Sequence, residues 1–449
     1  MGGILWNLGA FIVALGILVA VHEYGHFWVA RRNGVKVERF SIGFGKAIWR
    51  RMGRDGTEYV LAIIPLGGYV KMLDGRVDEV PAHLQDQAFN NKSVWARMAI
   101  VVAGPMANFL FAIFAFWLMF LIGVPAVKPV LNDVTIASPA AEGGLAPGME
   151  ILAIDGKPVR TWEDVNFALI GRLGDDETLF EVADSAGQRS QARIPLTEWQ
   201  FDPDETSPIT SLGLVPVGPE LTLTVAEVVD NGPAAAAGVQ RGDTLLAING
   251  EPLADWRELV TRVQASPDIP MELEVMRAGQ SLTLTLTPER RESRDRVIGY
   301  AGVAPQVLPV AEEYRFELSH GPLAAIGAGI SRTWDLTVLT FQMLGKLLTG
   351  IVSVDNLSGP ISIAKGAGIS ADYGLVYFLS FMALISVNLG IINLLPLPVL
   401  DGGHLLFYVI EAVTGRPVPE KIQEIGFKIG AVLLMMLMGL ALFNDFARL

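Results

Sequence analysis

Two histidines four residues apart, with a glutamate next to the first, stand at His22-Glu23-Tyr24-Gly25-His26. On a helix this spacing puts both imidazoles one turn apart on a single face, with a carboxylate beside them. That is the pattern of a zinc ligand pair and a general base for peptide hydrolysis. The flanks are apolar, from Ile4-Leu5-Trp6 to Leu18-Val19-Ala20-Val21 on one side and Phe27-Trp28-Val29-Ala30 on the other. An ionisable side chain inside a bilayer costs roughly 2.5 kcal/mol or more, so it needs a partner or a task there. The first reading is a hydrolytic site within a membrane.

A zinc hydrolase needs three protein ligands and an open position for water. The chain has five histidines, His22, His26, His83, His320 and His404. Arg32 stands where a third histidine of a metzincin pattern would fall, and neither Glu38 in a basic loop nor Glu58 in a strand-like run is clearly signalled as a ligand. The stronger candidate region runs from Asn388 through Asn393, Pro396 and Pro398 to Asp401-Gly402-Gly403-His404. Its two prolines break a helix, and irregular backbone at membrane depth is tolerated only beside protein or a water-lined cavity. Depth favours Asp401, because the first and third apolar stretches run in the same direction and end at the same side. His404 is a rival third ligand that spacing leaves open. With such a set, zinc would acidify a water and polarise the scissile carbonyl, and Glu23 would move the proton.

The elements that must carry these residues follow from hydropathy. The chain has 449 residues, 51% of them hydrophobic, a mean hydropathy of +0.41 and no cysteine. Disulfides, thiolate metal ligands and a cysteine nucleophile are therefore excluded. Four stretches meet the requirement of about 20 apolar residues for a membrane span: Ile4–Ala30, Met98–Val124, Leu375–Leu400 and Ile425–Phe443. The first lacks a basic leader and a small-residue cleavage site, so it is expected to be retained rather than cleaved as a signal peptide. A fifth stretch, Leu323–Ile351, is interrupted by Arg332, Asp335 and Lys346 and reads as an amphipathic helix on the membrane surface. Between Arg31 and Lys71 there are nine Lys/Arg against three acidic residues, which places that loop in the cytoplasm. Both termini and the middle of the chain are then expected outside. The middle, Val130 to Arg315, carries 30 Asp/Glu against 14 Lys/Arg, the opposite of a nucleic-acid surface.

That middle contains a repeat. Ser138-Pro139-Ala140-Ala141 leads through Gly144 and Gly148 to Ile151-Leu152-Ala153-Ile154-Asp155-Gly156, and Gly232-Pro233-Ala234-Ala235 leads through Gly238 and Gly242 to Leu245-Leu246-Ala247-Ile248-Asn249-Gly250. The Asp-Gly and Asn-Gly pairs signal tight turns between strands. Both units resemble PDZ domains of the bacterial protease type, and peptide ligands of such domains add a strand to a sheet edge. In the basic loop, Gly67-Gly68-Tyr69-Val70 follows the strand-like run Tyr59–Pro65 and suggests a hairpin or edge strand near the membrane.

Together, His22–His26, the segment Gly104-Pro105-Met106-Ala107-Asn108-Phe109, the tandem repeat and Asn393-Leu394-Leu395-Pro396-Leu397-Pro398-Val399-Leu400-Asp401-Gly402-Gly403 resemble the site-2 protease family of intramembrane zinc metalloproteases. The resemblance covers nearly the whole chain without departure at these positions. It implies Zn2+ on His22, His26 and Asp401, with Glu23 as catalytic base. It also implies a substrate strand held by Asn388, Asn393 and the membrane-associated hairpin at Gly67, Gly68, Tyr69 and Val70. The expected fold is a multi-span α-helical membrane protein of four transmembrane helices with two inserted PDZ-like, mainly-β domains outside the membrane. Its expected parts are 1–124 with two spans and the hairpin, PDZ-like units 125–221 and 222–309, an amphipathic segment 310–374, and the last two spans in 375–449. By the same resemblance the site is a bacterial inner-membrane one. Its substrates would be single-span proteins, an anti-sigma factor of the envelope stress response and signal-peptide remnants, screened by the PDZ pair. A non-catalytic membrane scaffold and a metal transporter are the alternative classes.

Overall fold

The apolar run around the histidine motif forms one helix, α1 (Gly2–Arg32), ending in Arg31 and Arg32. A computed structural model of the chain describes residues 2–77, 79–200, 206–293, 296–350, 352, 354 and 358–447. Helix α2 (Val94–Ile122) starts at Ser93, whose hydroxyl accepts from the Ala96 amide, and stops at Gly123 with φ +97°. Then come α3 (Pro322–Leu348), α4 (Pro360–Asp372), α5 (Leu375–Leu394), α6 (Asp401–Thr414) and α7 (Glu420–Ala447). Among the described residues, α1, α2, α5 and α7 are the helices long and apolar enough to cross a membrane. Helices α1, α2 and α5 share a core that gathers Ala14, Phe116, Leu379 and Ala383, with Leu336 of α3.

The third apolar stretch departs from its expected length. Helix α5 ends at Leu394 rather than Leu400. Pro396 has no amide hydrogen and pushes the residue before it out of the helical region, and Leu395 is extended, with φ −62° and ψ 144°. The chain turns between Leu395 and Leu400 and restarts as α6, with Asp401 in its first turn. Asp401 therefore opens a helix instead of closing a span.

The fifth stretch forms α3, and its three charges have protein partners. Arg332 pairs with Glu163 at 2.8 Å and Asp164 at 3.1 Å, Lys157 lies 3.5 Å from Asp335, and Lys346 donates to the Gly171 carbonyl at 2.7 Å. The adjoining face meets α2, where Gly329 lies against the backbone of Ile113 and Trp117. The charges that interrupt the hydropathy face the first inserted β-unit. Ile351, the last residue of the expected stretch, lies outside the described residues.

In the basic loop, strands β1 (Val37–Met52) and β2 (Glu58–Met72) each bend sharply, at Gly43 and Gly45 (φ +92° and +86°) and at Gly67 (φ +131°). Arg39–Ile42 consequently has neighbours on both sides, Glu58–Leu61 on one and Gly68–Lys71 on the other, while Trp49–Met52 pairs with the far side of Glu58–Leu61. The ribbon is thus four segments wide, with Gly68–Lys71 along one margin.

The insert holds two β-units with separate cores, one around Phe180, Ile151 and Leu169, the other around Val275, Leu245 and Trp256. Each runs through a Pro-led helical turn, a strand (Glu150–Ile154 or Thr244–Ile248), a tight turn, a helix (Trp162–Gly171 or Trp256–Gln264) and an antiparallel pair. Asp155-Gly156 and Asn249-Gly250 all have positive φ, as a two-residue hairpin turn requires. Strand Val124–Val127, just after α2, pairs with Arg315–Leu318, just before α3, so the insert's two ends are fastened together at the end of α2.

Candidate active site

Helix α1 presents His22 and His26 on one face, with Nε2 atoms 3.3 Å apart. The chain reversal after Pro398 brings Asp401 Oδ2 to 3.2 Å from His22 Nε2 and 3.3 Å from His26 Nε2. That carboxylate oxygen is buried and has no hydrogen-bond partner. Four-coordinate zinc with arms of about 2.0–2.1 Å has its ligand atoms about 3.3 Å apart. The donor set, its spacing and the orphaned oxygen fit a zinc ion. Among the described residues these three form the group of His, Asp or Glu side chains able to converge on a metal.

Packing makes the convergence possible. A Cβ on Gly25 would lie 2.2 Å from the Ala103 carbonyl oxygen, and one on Gly104 would lie 2.2 Å from His26 Nε2. Glycine at both positions lets α1 and α2 approach until the histidines sit against α2. There His26 Nδ1 donates to the Ile100 carbonyl at 2.8 Å, and the Asn108 amide lies 3.0 Å from His22 Nδ1. Below the site, Phe27, Ala30, Val37, Phe89, Ile100 and Tyr408 join α1, β1, α2 and α6 in one cluster. Arg97 of α2 pairs with Glu411 of α6 at 2.6 Å, with its guanidinium 4.9 Å from the Tyr408 ring centre, which ties the helix bearing Asp401 to the one backing the histidines.

Of the two rivals for the third position, Asp401 joins the histidines. His404 is one turn further along α6, its ring 5.1 Å from that of Phe427, and burial pushes its pKa below the ordinary imidazole value. Glu38 pairs with Lys71 at 2.9 Å and Glu58 with Arg39 at 2.7 Å, so both belong to the ribbon.

The ribbon's marginal segment passes directly over the general-base candidate. A Cβ on Gly68 would meet Glu23 Cγ at 2.9 Å and Val19 Cγ1 at 3.0 Å. Gly67 lies against the Phe44 ring, Tyr69 stacks on the same ring and accepts from Arg39, and Val70 packs into the cluster below the site. Asn388, on α5, accepts from the Thr340 hydroxyl of α3 at 2.9 Å, while half-buried Asn393 sits one turn further along, next to the reversal. Sequence reasoning did not single out Gly25, Ile100 or Arg97. The Gly104–Asn108 segment was visible as a motif without a role.

A family model described as Peptidase family M50 matches residues 10–437. A Vibrio cholerae chain named “Putative zinc metalloprotease” is 57% identical over 452 residues, covering 100% of both chains. The “Regulator of sigma-E protease RseP” of Salmonella typhimurium is 54% identical over 450 residues, again with 100% of each chain covered. The Escherichia coli protein of the same name is 53% identical over 446 residues, covering 99% of each. A match this long, with full-length relatives at more than half identity and a donor set spaced for zinc, leaves one conclusion: this chain belongs to peptidase family M50 and is a zinc metalloprotease.

Proposed function

We propose that His22, His26 and Asp401 hold the zinc, that Glu23 is the general base, and that the substrate is a single membrane-spanning segment cleaved as an extended strand. The observation that carries this reading is the convergence of the three donor atoms beneath a strand margin, Gly68–Lys71, with Glu23 between them. Bound zinc supplies Lewis acidity and a water that is acidic near neutral pH. Glu23 accepts a proton from the attacking water and passes it to the leaving amine.

A membrane helix hides its carbonyls in its own hydrogen bonds, so the segment must unwind before any of them can be attacked. Each freed amide then needs a new partner in an apolar setting. The margin at Gly67, Gly68, Tyr69 and Val70 offers a row of backbone groups to an added strand, and Asn388 and Asn393 on α5 are the side-chain amides read as further partners. Helical substrate would be rejected and unwound substrate held.

The excess of Lys/Arg in Arg31–Lys71 supports a cytoplasmic position for the ribbon, in a bacterial inner membrane, with both termini and the acidic insert in the periplasm. The two β-units are read as PDZ domains that screen substrates, and the relatives named as regulators of sigma-E protease support an anti-sigma factor as principal substrate, with signal-peptide remnants as others. The decisive measurement is cleavage of a single-span reporter by wild type, Glu23→Gln and Asp401→Ala, with bound zinc determined in each. Glu23→Gln should retain zinc and lose cleavage, and Asp401→Ala should lose both. Full cleavage by Glu23→Gln would remove the catalytic assignment. Screening is tested by deleting Val130–Pro309: if full-length substrates stay as protected as before, the β-units are not the gate.

A further inference from the structure

The motif Gly104-Pro105-Met106-Ala107-Asn108 has no part in the chemistry above, yet it lies against both histidines. Helices α1 and α2 run antiparallel here, so residues four apart on α2 match residues four apart on α1 in reverse order. Ile100 and Gly104 meet His26, and Asn108 meets His22. At His26 the arrangement fixes the tautomer. A backbone carbonyl only accepts, so Nδ1 carries the proton and Nε2 keeps its lone pair toward Asp401 and His22.

His22 poses the same question with a different neighbour. Its Nε2 faces the other two donor atoms, while its Nδ1 faces the side-chain amide of Asn108 at 3.0 Å. An amide has two ends of nearly equal shape and opposite role. If the nitrogen faces His22, it donates to an unprotonated Nδ1, the ring proton sits on Nε2, and His22 has no lone pair for a metal. If the oxygen faces His22, Nδ1–H donates to it and Nε2 is free to ligate. Asn108 has no exposed surface, and as the amide is placed Nδ2 faces the ring while Oδ1 is buried without a partner; turning the amide over brings Oδ1 onto His22 Nδ1–H. Leaving a buried polar atom unpaired is unfavourable, and an apolar residue would fill the same space without that cost. A purely packing role therefore does not account for asparagine here.

We propose that Asn108 is a positioning residue for the metal site: its Oδ1 accepts from His22 Nδ1–H, fixes the tautomer and ring plane of His22, and with the Ile100 carbonyl makes α2 the template for both imidazoles. Gly104 completes the template by leaving room for His26 Nε2. This inference rests on the reading of His22 as a zinc ligand. Outer partners of metal-bound histidines are commonly worth 10- to 100-fold in metal affinity.

The test is zinc affinity, measured by competition with a chromophoric chelator on the full chain in detergent, for wild type, Asn108→Leu, Asn108→Asp and His22→Ala. Asn108→Leu removes the acceptor at similar volume and should weaken zinc binding about 10- to 100-fold. Excess zinc should restore its cleavage. Asn108→Asp can only accept, so it should bind zinc at least as tightly as wild type. Unchanged affinity in Asn108→Leu overturns the proposal. So does loss of affinity in Asn108→Asp at a wild-type melting temperature, and that arm decides the matter even if the leucine variant does not fold. If His22→Ala binds zinc like wild type, the ligand reading itself fails. If His22→Ala loses zinc while both Asn108 variants keep it, only the role of Asn108 fails.

Discussion

Gly68→Ala sets local preference against tertiary contact. Alanine is normally the better residue in a strand by roughly 0.5–1 kcal/mol, because glycine loses more backbone freedom on folding. Here the added Cβ would sit 2.6 Å from the Ser41 carbonyl oxygen, 2.9 Å from Glu23 Cγ and 3.0 Å from Val19 Cγ1. Ordinary contact begins near 3.5 Å, so the marginal strand or the Glu23 side chain must move by about 0.6–0.9 Å. The Ser41 oxygen is backbone held within the ribbon and yields little, which directs the displacement toward Glu23 and α1. A misplacement of about 1 Å in a catalytic constellation costs on the order of 100-fold in rate, about 2.7 kcal/mol of transition-state stabilisation. None of the three nearest atoms belongs to a metal-ligand candidate. The expected outcome is a full complement of zinc with kcat/KM for a single-span reporter reduced about 100-fold. Gly16→Ala is the control, since Gly16 lies on α1 in an ordinary helical conformation with open space around it. Wild-type cleavage by Gly68→Ala would show that the strand does not press on Glu23, and loss of zinc would show that the ribbon supports the metal site rather than the base.

Three further outcomes are expected. Arg97→Ala should cost about 1–3 kcal/mol by leaving half-buried Glu411 without its partner, and Arg97→Met with Glu411→Leu should recover most of it, as read by thermal melting in detergent. Gly368→Val should destabilise the α1–α4 contact by about 1–3 kcal/mol, because a Cβ there would fall 2.8 Å from Asn7 Cα, and a melting temperature equal to wild type would contradict that packing. In the second β-unit, Arg277 holds the buried Asp243 carboxyl below its ordinary pKa. The stabilisation is therefore present above the unfolded value of about 3.9 and lost as pH falls through the lower folded value. Asp243→Asn should lower that unit's midpoint by about 4–8 °C at neutral pH, with the gap closing in acid, as followed by proteolysis of the full chain during heating.

Much of the site could be read before any fold was known, because its signals are local. His22, Glu23 and His26 share one helical turn, so their mutual geometry follows from helix pitch alone. The apolar runs, the two prolines and the Asp-Gly and Asn-Gly turns are likewise properties of a few consecutive residues. Harder features depended on residues far apart in the chain. Helix α5 stops at Leu394 because of Pro396, a local cause, yet the position of Asp401 depends on how α6 docks through Arg97–Glu411. The charges in α3 also have partners that no local pattern shows, Glu163, Asp164 and the Gly171 carbonyl, more than 150 residues away.

By itself, then, the sequence determined which atoms could do the chemistry and which segments could cross a membrane, since side-chain identity and hydropathy need no partner. Only the tertiary structure decided that Asp401 rather than His404 meets the histidines, that Gly68 lies on Glu23, and that Ile100, Gly104 and Asn108 back the two imidazoles. These are contacts between separate elements, set by helix packing at glycines and by a half-buried ion pair, and the spacing of residues along a chain does not encode such distances.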